Sequence, residues 1–464
     1  MILLPKIHER FRGARTVNCK IFVAALIVGG LSCVVKISAM GKELLVASFF
    51  GRGDDIEAFL IGFLLPSMFV SLVGTTLMSA LVPTFIEVQE KDGREAANKV
   101  LSSAMLVTLA MLLGVTLVLA TVGPFALSIL ASGFSAEKLA LTRHLYFALL
   151  PYVIVNGLVL VWGAILNAGE RFVLPALTPV LTPISIALVL LSCKSLGVGS
   201  LVIGTYVGAV LEAVLLAVAL SKSGMSFNCR WFGMSSYIRQ ILRQYPPLLL
   251  AATVSSGNII VEQAMAAMLV GGSVAALSYG MKMTSMLGTL AATSLSTAII
   301  PYLSRMTAQE DWAGCRRSLK VFTRIVLIVF IPVALGIAAL STPIVHLLFQ
   351  RGAFTSADTA IVAKVQAMSC LQVPFMAAGL MYTRLLSAMK RNNIVMWIGC
   401  LNLLLDVIYN IVFIRLMGVA GIALSTSVFC LTSYALKAYI VHRMLRARMA
   451  PDPFGVPIPT GFAD

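Results

Sequence analysis

Charge is what this sequence has least of. Of 464 residues only 12% are charged and 59% are hydrophobic, with a mean hydropathy of +0.96. Soluble domains usually carry about 25% charged residues, so a soluble globular protein is excluded. Acids are the scarcer sign, 19 against 35 Lys and Arg. The four histidines (His8, His144, His346, His442) make no ligand spacing, and no H-E-x-x-H, P-loop or G-x-S-x-G motif occurs. That removes the common metalloprotease, nucleotide-hydrolase and serine-hydrolase readings. Eight cysteines (Cys19, Cys33, Cys193, Cys229, Cys315, Cys370, Cys400, Cys430) form no C-x-x-C pair. They read as small apolar residues, not as a disulfide or zinc framework. Polar–apolar alternation is also missing. Lipid satisfies no backbone groups, so spans are helices or a closed barrel, and long unalternating runs exclude the barrel.

What is present is a series of apolar runs, each near the roughly 20 residues that a bilayer span needs. Twelve are read at 21–50, 59–85, 100–122, 141–166, 172–192, 198–220, 247–270, 274–303, 321–340, 360–388, 394–416 and 419–441. The first is too long for a cleavable signal peptide and lacks its small-residue site. Basic residues sort by side. Lys6, Arg10, Arg12, Arg15 and Lys20 precede the first run. Alternate loops carry Lys91, Arg94 and Lys99; Arg171; Lys222, Arg230, Arg239 and Arg243; Arg305, Arg316, Arg317 and Lys320; and Lys390 and Arg391. The tail carries Arg443, Arg446 and Arg448, whereas the intervening loops hold about one each: Arg52, Lys138, Lys194, Arg351 and Arg415. The positive-inside rule then places both termini in the cytoplasm. The net charge of +16 is a topology signal facing an anionic leaflet, and no nucleic-acid partner is needed to explain it.

The chain repeats itself. "LVPTF" (Leu81–Phe85) corresponds to "IIPYL" (Ile299–Leu303), "SGFSAEK" (Ser132–Lys138) to "RGAFTSADT" (Arg351–Thr359), and "LNAGER" (Leu166–Arg171) to "LSAMKR" (Leu386–Arg391). Each pair lies about 220 residues apart, so six spans repeat as six in the same orientation. The expected layout is a basic cytoplasmic N-terminus (1–20), a six-helix lobe (21–221), a cytoplasmic linker (222–245), a second six-helix lobe (246–441) and a cytoplasmic tail (442–464). Two such lobes related by a parallel repeat enclose a central cavity and work by alternating access. Within the linker, "WFGMSSYIRQILRQY" (Trp231–Tyr245) reads either as an amphipathic surface helix or as a plain tether.

Charges inside the apolar runs are the candidate functional residues, because each costs roughly 2.5–3.5 kcal/mol at mid-bilayer. Lys36, Lys42 and Glu43 fall in the first run and Lys282 in the eighth. Lys36 and Lys42 are six residues apart, about 120° around an ideal helix, and share a direction only if the helix bends at "SAMG" (Ser38–Gly41). Cations facing one water-filled cavity suit a pyrophosphate; the bland alternative pairs Lys36 and Lys42 with Glu43 and Glu57 to hold a lobe together. A second constellation is Glu262 with Asn402, Asp406 and Thr426. Asn402 and Asp406 share a helical face at i, i+4, and carboxylate, amide and hydroxyl oxygens suit a hard cation. Buried, protonated acids are the alternative. Glu212 and Lys364 take no role, and Arg384 and Lys437 read as snorkelling.

Several blocks resemble the MviN/MurJ family of bacterial lipid II flippases, within the multidrug/oligosaccharidyl-lipid/polysaccharide exporter superfamily. "LLFQRGAFTSADT" (Leu347–Thr359) is similar to the family's L-F-x-R-G-x-F-[ST] block, and "FFGRGDDIEAFLIGFLLP" (Phe49–Pro66) to its F-G-x-G…D-A-F…P. "EQAMAAMLVGGSVAALSYGMKM" (Glu262–Met283) and "IIPYLS" (Ile299–Ser304) follow in family order. The chain departs from the pattern where the family carries Arg: Lys36, Lys42 and Lys282 stand there instead. "PSMFVSLVG" (Pro66–Gly74) lacks the usual base, "PVLTP" (Pro179–Pro183) lacks an Asn, and twelve runs are read where the family commonly has fourteen spans.

The resemblance implies an all-α polytopic flippase of the bacterial cytoplasmic membrane. It would carry a polyprenyl-diphosphate-linked saccharide, lipid II or a related precursor, to the outer leaflet. Lys36, Lys42 and Lys282 would hold the diphosphate, supported by Glu43 and Glu57. Glu262, Asn402, Asp406 and Thr426 would form a coupling site for Na⁺ or H⁺; no other cofactor, and a monomer, are expected. Ammonium for guanidinium means looser phosphate recognition. The alternative is a cation-coupled antiporter of small amphipathic cations. A membrane-embedded glycosyltransferase or ligase would want an acidic metal motif or a large outer loop, neither of which is present.

Overall fold

The structure, a computed structural model, describes residues 17–169, 171–223 and 231–449. Most of the basic N-terminus, part of the linker and the end of the tail, with the expectations attached to them, lie outside the described residues. Every regular element among the described residues is helical. In order they are α1 (Val17–Phe50), α2 (Asp54–Lys91), α3 (Gly93–Leu130), α4 (Ala136–Leu149), α5 (Tyr152–Ala168), α6 (Val173–Leu177), α7 (Leu181–Ser192) and α8 (Gly199–Lys222). Then follow α9 (Ser236–Ala267), α10 (Ser273–Ala308), α11 (Trp312–Ala339), α12 (Ser341–Phe349), α13 (Ser356–Cys370), α14 (Val373–Ala388), α15 (Asn392–Met417) and α16 (Val419–Met449).

These elements make twelve long helical passes once α4/α5, α6/α7, α11/α12 and α13/α14 are each taken as one. The all-α polytopic class expected from the sequence is what the structure has. Among the described residues eight passes are individually long and apolar enough to cross a membrane, nine if the α4/α5 pair, bent by 44°, counts as one. Of the remaining passes, α1 carries Lys36, Lys42 and Glu43, α9 carries Glu262, and α10 carries Lys282.

Local chemistry explains the breaks. Pro151 stands at the α4/α5 junction and Pro374 in the first turn of α14. A proline lacks the N–H that would continue the preceding helix, yet fits a helix start. Both breaks lie in the fourth pass of their repeat. Conversely, Pro66 and Pro83 sit inside α2, so "LVPTF" ends the apolar run but not the helix, which continues to Lys91.

Contacts divide the chain into two compact units. The first runs up to Tyr279 and includes Val345–Thr359; the second is Gly280–Ile344 with the chain from Ala360 onward. One core of the first unit packs Leu81, Phe85, Leu101, Trp162, Leu166, Leu216 and Leu220 from α2, α3, α5 and α8. The second unit has its own core of Leu303, Leu319, Val326, Met381, Tyr382, Leu385 and Val441. In the first unit, the linker differs from the surface-helix expectation. Trp231–Ser235 is not helical; Ser235 caps α9 by accepting from the Ile238 N–H at 3.3 Å. Ile238, Ile241 and Tyr245 then bury themselves in that first core, and Tyr237 donates to Asp92 at 2.9 Å. The apolar face of the segment is spent on protein, at roughly 1.5–3 kcal/mol per large side chain, and so is not free for lipid.

Candidate functional site

The most densely built polar cluster joins segments that the repeat assigns to different halves, within the first unit. Glu57, in the first turn of α2, is 1% exposed. Its carboxylate accepts the backbone N–H groups of Gly272 (2.9 Å), Val274 (2.6 Å) and Ala275 (3.2 Å), the free donors at the start of α10. A helix N-terminus favours an anion through both its free N–H groups and its dipole. Lys138, 7% exposed at the start of α4, pairs with Glu57 and reaches Asp54 at 2.6 Å. Its ammonium also lies 4.1 Å from the centre of the Phe134 ring. Beside this, Arg52 Nε donates to Asp358 at 2.6 Å and Arg52 Nη1 to the Gly272 carbonyl at 3.4 Å. Asp358 is itself fixed by accepting the Thr355 N–H at 2.8 Å, while its own N–H donates to Thr355 Oγ1 at 3.3 Å. That is a reciprocal cap at the start of α13.

Backbone contact completes the clasp. The Ala353 N–H donates to the Ser48 carbonyl at 2.8 Å. Gly51 (φ +54°) and Gly352 (φ +58°) are the residues that permit this approach. A Cβ on Gly51 would stand 2.5 Å from the Ala353 carbonyl oxygen, and one on Gly352 would run into the Ser48 carbonyl. Tyr279, Phe349 and Phe354 pack ring to ring behind it at 5.6–5.9 Å. Arg52, Lys138 and Asp358 were not singled out from the sequence; Arg52 and Lys138 counted only as isolated loop charges. The signal was present in the repeat blocks, since "SGFSAEK" ends on Lys138 and "RGAFTSADT" contains Asp358.

The lysines that stood out in the sequence fall in both units. Lys36 is exposed on α1, and Lys42 is half-buried and bonded to Glu43 at 2.6 Å. Helix α1 runs unbroken through Ser38–Gly41, so the two lysines keep their separation of about 120°. Glu57 pairs with Lys138 and not with Lys36. Lys282 is half-buried on α10 and belongs to the second unit, while Lys36 and Lys42 belong to the first.

The coupling candidates divide similarly: Glu262, buried on α9, is in the first unit, and Asn402, Asp406 and Thr426 are in the second. On α15, Asn402, Asp406 and Asn410 follow one another at i, i+4, i+8 and are all buried. Asn402 Nδ2 donates to Ser433 Oγ on α16 at 2.9 Å, leaving Asn402 Oδ1 without a partner. Asp406 is wholly buried, and neither carboxylate oxygen has a hydrogen-bond partner. Thr426 Oγ1 donates to the Ile422 carbonyl at 3.0 Å. Unused oxygen acceptors in a buried layer are donors that a hard cation can use. Among the described residues no group of three or more His, Cys, Asp or Glu is placed to hold a metal ion.

Comparison with known proteins gives this arrangement a context. A probable lipid II flippase MurJ of Rickettsia prowazekii (strain Madrid E) is 23% identical over 443 residues, covering 91% of this chain and 85% of the relative. The lipid II flippase MurJ of Burkholderia cenocepacia is 25% identical over 438 residues, covering 90% and 83%. Among solved structures, a lipid II flippase MurJ in an inward closed conformation superposes with a TM-score of 0.77 at 24% identity, covering 90% of this chain and 87% of that one. An inward-facing multidrug resistance MATE family transporter of the MOP superfamily gives 0.76 at 14% identity, covering 91% and 98%. Those two likenesses establish the fold. The family model described as Lipid II flippase MurJ matches residues 46–453, nearly the whole chain, and the chain belongs to that family.

Proposed function

We propose that this protein moves a polyprenyl-diphosphate-linked saccharide, lipid II or a closely related precursor, from the inner to the outer leaflet of a bacterial cytoplasmic membrane. It does so by alternating access, without covalent chemistry. The observation that carries the reading is the family match over residues 46–453 together with cations set inside apolar passes. Lys36 and Lys42 lie on α1, and Lys282 on α10, inside otherwise apolar passes. Cations in such helices are tolerated where they face water or a ligand, and a diphosphate is the ligand their sign selects. Both termini lie in the cytoplasm by the charge rule, which puts the Glu57–Lys138 clasp on the outer face as a closed outer gate. The protein works as a monomer, with anionic lipids around its basic loops. The antiporter alternative shares the fold, but the family model that matches the chain is that of the lipid II flippases.

Replacement of the essential flippase in bacteria depleted of their own tests the substrate. Growth is the expected outcome. Lysis despite normal membrane expression points to a different lipid-linked glycan.

Coupling rests on the second unit. Asp406, with Asn402 and Thr426, supplies the oxygens for Na⁺, which would stabilise one facing state; Glu262 is the further carboxylate of the set. A ligand shifts an equilibrium only through differential affinity for the two states. In protein whose native cysteines are replaced, Na⁺ is expected to change labelling of a cysteine at Val270, which is 85% exposed. Asp406→Asn is expected to remove that response. A response to pH alone that disappears in Asp406→Asn makes the site a proton site. A response to neither ion makes it structural.

A further inference from the structure

Glu212 is a carboxylate for which the reading above has no use. It lies within α8, is 4% exposed, and accepts a hydrogen bond from Thr182 Oγ1 of α7 at 2.6 Å. The two helices approach closely there because Gly204 and Gly208 form a G-x-x-x-G face. A Cβ on Gly204 would stand 2.5 Å from the Cα of Ile186, and one on Gly208 would collide with the Cα of Thr182. No cation pairs with Glu212 among the described residues. From α5 the ionisable group facing it is Tyr152, and from α7 the uncharged Thr182 hydroxyl donates to it. On its own helix Tyr206 reaches across the α4/α5 break to donate to the Ala148 carbonyl at 2.6 Å.

The repeat gives this carboxylate a counterpart. Leu166–Arg171 aligns with Leu386–Arg391, and counting on from that match Thr182 falls at Asn402 and Glu212 one residue before Ser433. The fifth and sixth passes of each half therefore make the same cross-helix polar contact at the same level: Thr182 to Glu212 in one, Asn402 to Ser433 in the other. The acid has changed helices. In the second half it is Asp406, one turn beyond Asn402 on the fifth pass, where the first half has the apolar Ile186. In the first half it is Glu212 on the sixth pass.

We infer that the Glu212–Thr182 contact is a second ion-binding site, the first-half counterpart of the Asp406 site, and that its ligand is a proton. The donor set decides the ligand. A hard metal cation takes about six oxygens, and the described residues here supply one carboxylate and one hydroxyl. An ionised carboxylate without a cationic partner is costly in apolar surroundings, so the packed α7–α8 pair holds Glu212 protonated. Water reaching the pair lets the proton leave. A proton bound in only one arrangement of these helices biases their equilibrium, as any ligand does. The protein then carries one ion site per half, of different chemistry. This rests on the proposed second-half site for its place in a transport cycle, but not for its detection.

The test is infrared difference spectroscopy of the full-length protein in lipid, titrated from about pH 5 to about pH 9, a range spanning the raised values of buried carboxylic acids. An Asp406→Asn background removes the second-half candidate acid, and Glu212→Gln separates the Glu212 band from that of Glu262. A protonated-carboxyl C=O band that titrates, is absent in Glu212→Gln and shifts its midpoint in Thr182→Val is the expected result. Transport in proteoliposomes should then vary with pH by up to about tenfold per unit, the slope of one proton, and flatten in Glu212→Gln. The inference is overturned if no such band is assignable to Glu212, or if its band stays constant across the titration. The spectroscopic arm needs no substrate. A titrating Glu212 alongside failed lipid II complementation would therefore sink the substrate reading and leave this one standing.

Discussion

Glu57→Ala is expected to open the clasped end of the first unit, at a cost of about 3–5 kcal/mol, the usual penalty for breaking a buried ion pair from one side. Two losses coincide. Lys138, 7% exposed, keeps only the largely exposed Asp54 as a counter-charge, and the N–H groups of Gly272, Val274 and Ala275 lose their acceptor. Lys138→Ala should cost less, because Glu57 would still be held by three backbone donors. The order of the two variants is thus the diagnostic. Thermal stability of the purified protein and labelling of a cysteine at Val270 both report it. Equal effects would mean that the Lys138–Glu57 pair, and not the seating of the carboxylate on α10, closes this end.

Lys42→Ala and Lys282→Ala are each expected to cut transport by about 10- to 100-fold or more, with normal insertion. That range corresponds to one charge-assisted contact of about 1.5–3 kcal/mol. Removing an intramembrane charge lowers the cost of insertion, so misinsertion would not explain the loss. The Lys42–Glu43 bond demands a control. If Lys42 serves only to neutralise Glu43, then Lys42→Ala with Glu43→Gln restores flipping. If Lys42 grips a diphosphate, the double variant stays inactive. A lipid-accessibility assay in proteoliposomes reads all three, and wild-type rates in both single variants would refute the diphosphate grip.

What was legible from residues alone follows from the range of the forces involved. Hydropathy and helical periodicity are local, so the all-α membrane class, the position of most passes and the shared face of Asn402 and Asp406 needed only neighbours within a few turns. The proline of "LVPTF" sits where apolarity ends, but the helix does not end with it: α2 continues to Lys91. The family could be read because its blocks are contiguous, as in Leu347–Thr359.

The sequence by itself determined the solvent of this chain, its helical class, its internal repeat and its family, since each is written in runs of adjacent residues. Only the tertiary structure decided the partners. Nothing local distinguishes Lys138, with its ammonium on Glu57, from any other loop lysine, and Glu57 seats on N–H groups more than two hundred residues away. Likewise, Ile238 and Ile241 spell an amphipathic face but not whether lipid or protein covers it; packing against the core of α2, α3, α5 and α8 settles that. Glu212 became meaningful only when the packed pair α7–α8 brought Thr182 to it and the pair α15–α16 showed the same contact. A charge buried in a membrane protein takes its role from what the fold sets opposite it, because in that low dielectric a partner's presence or absence outweighs every other influence on its energy.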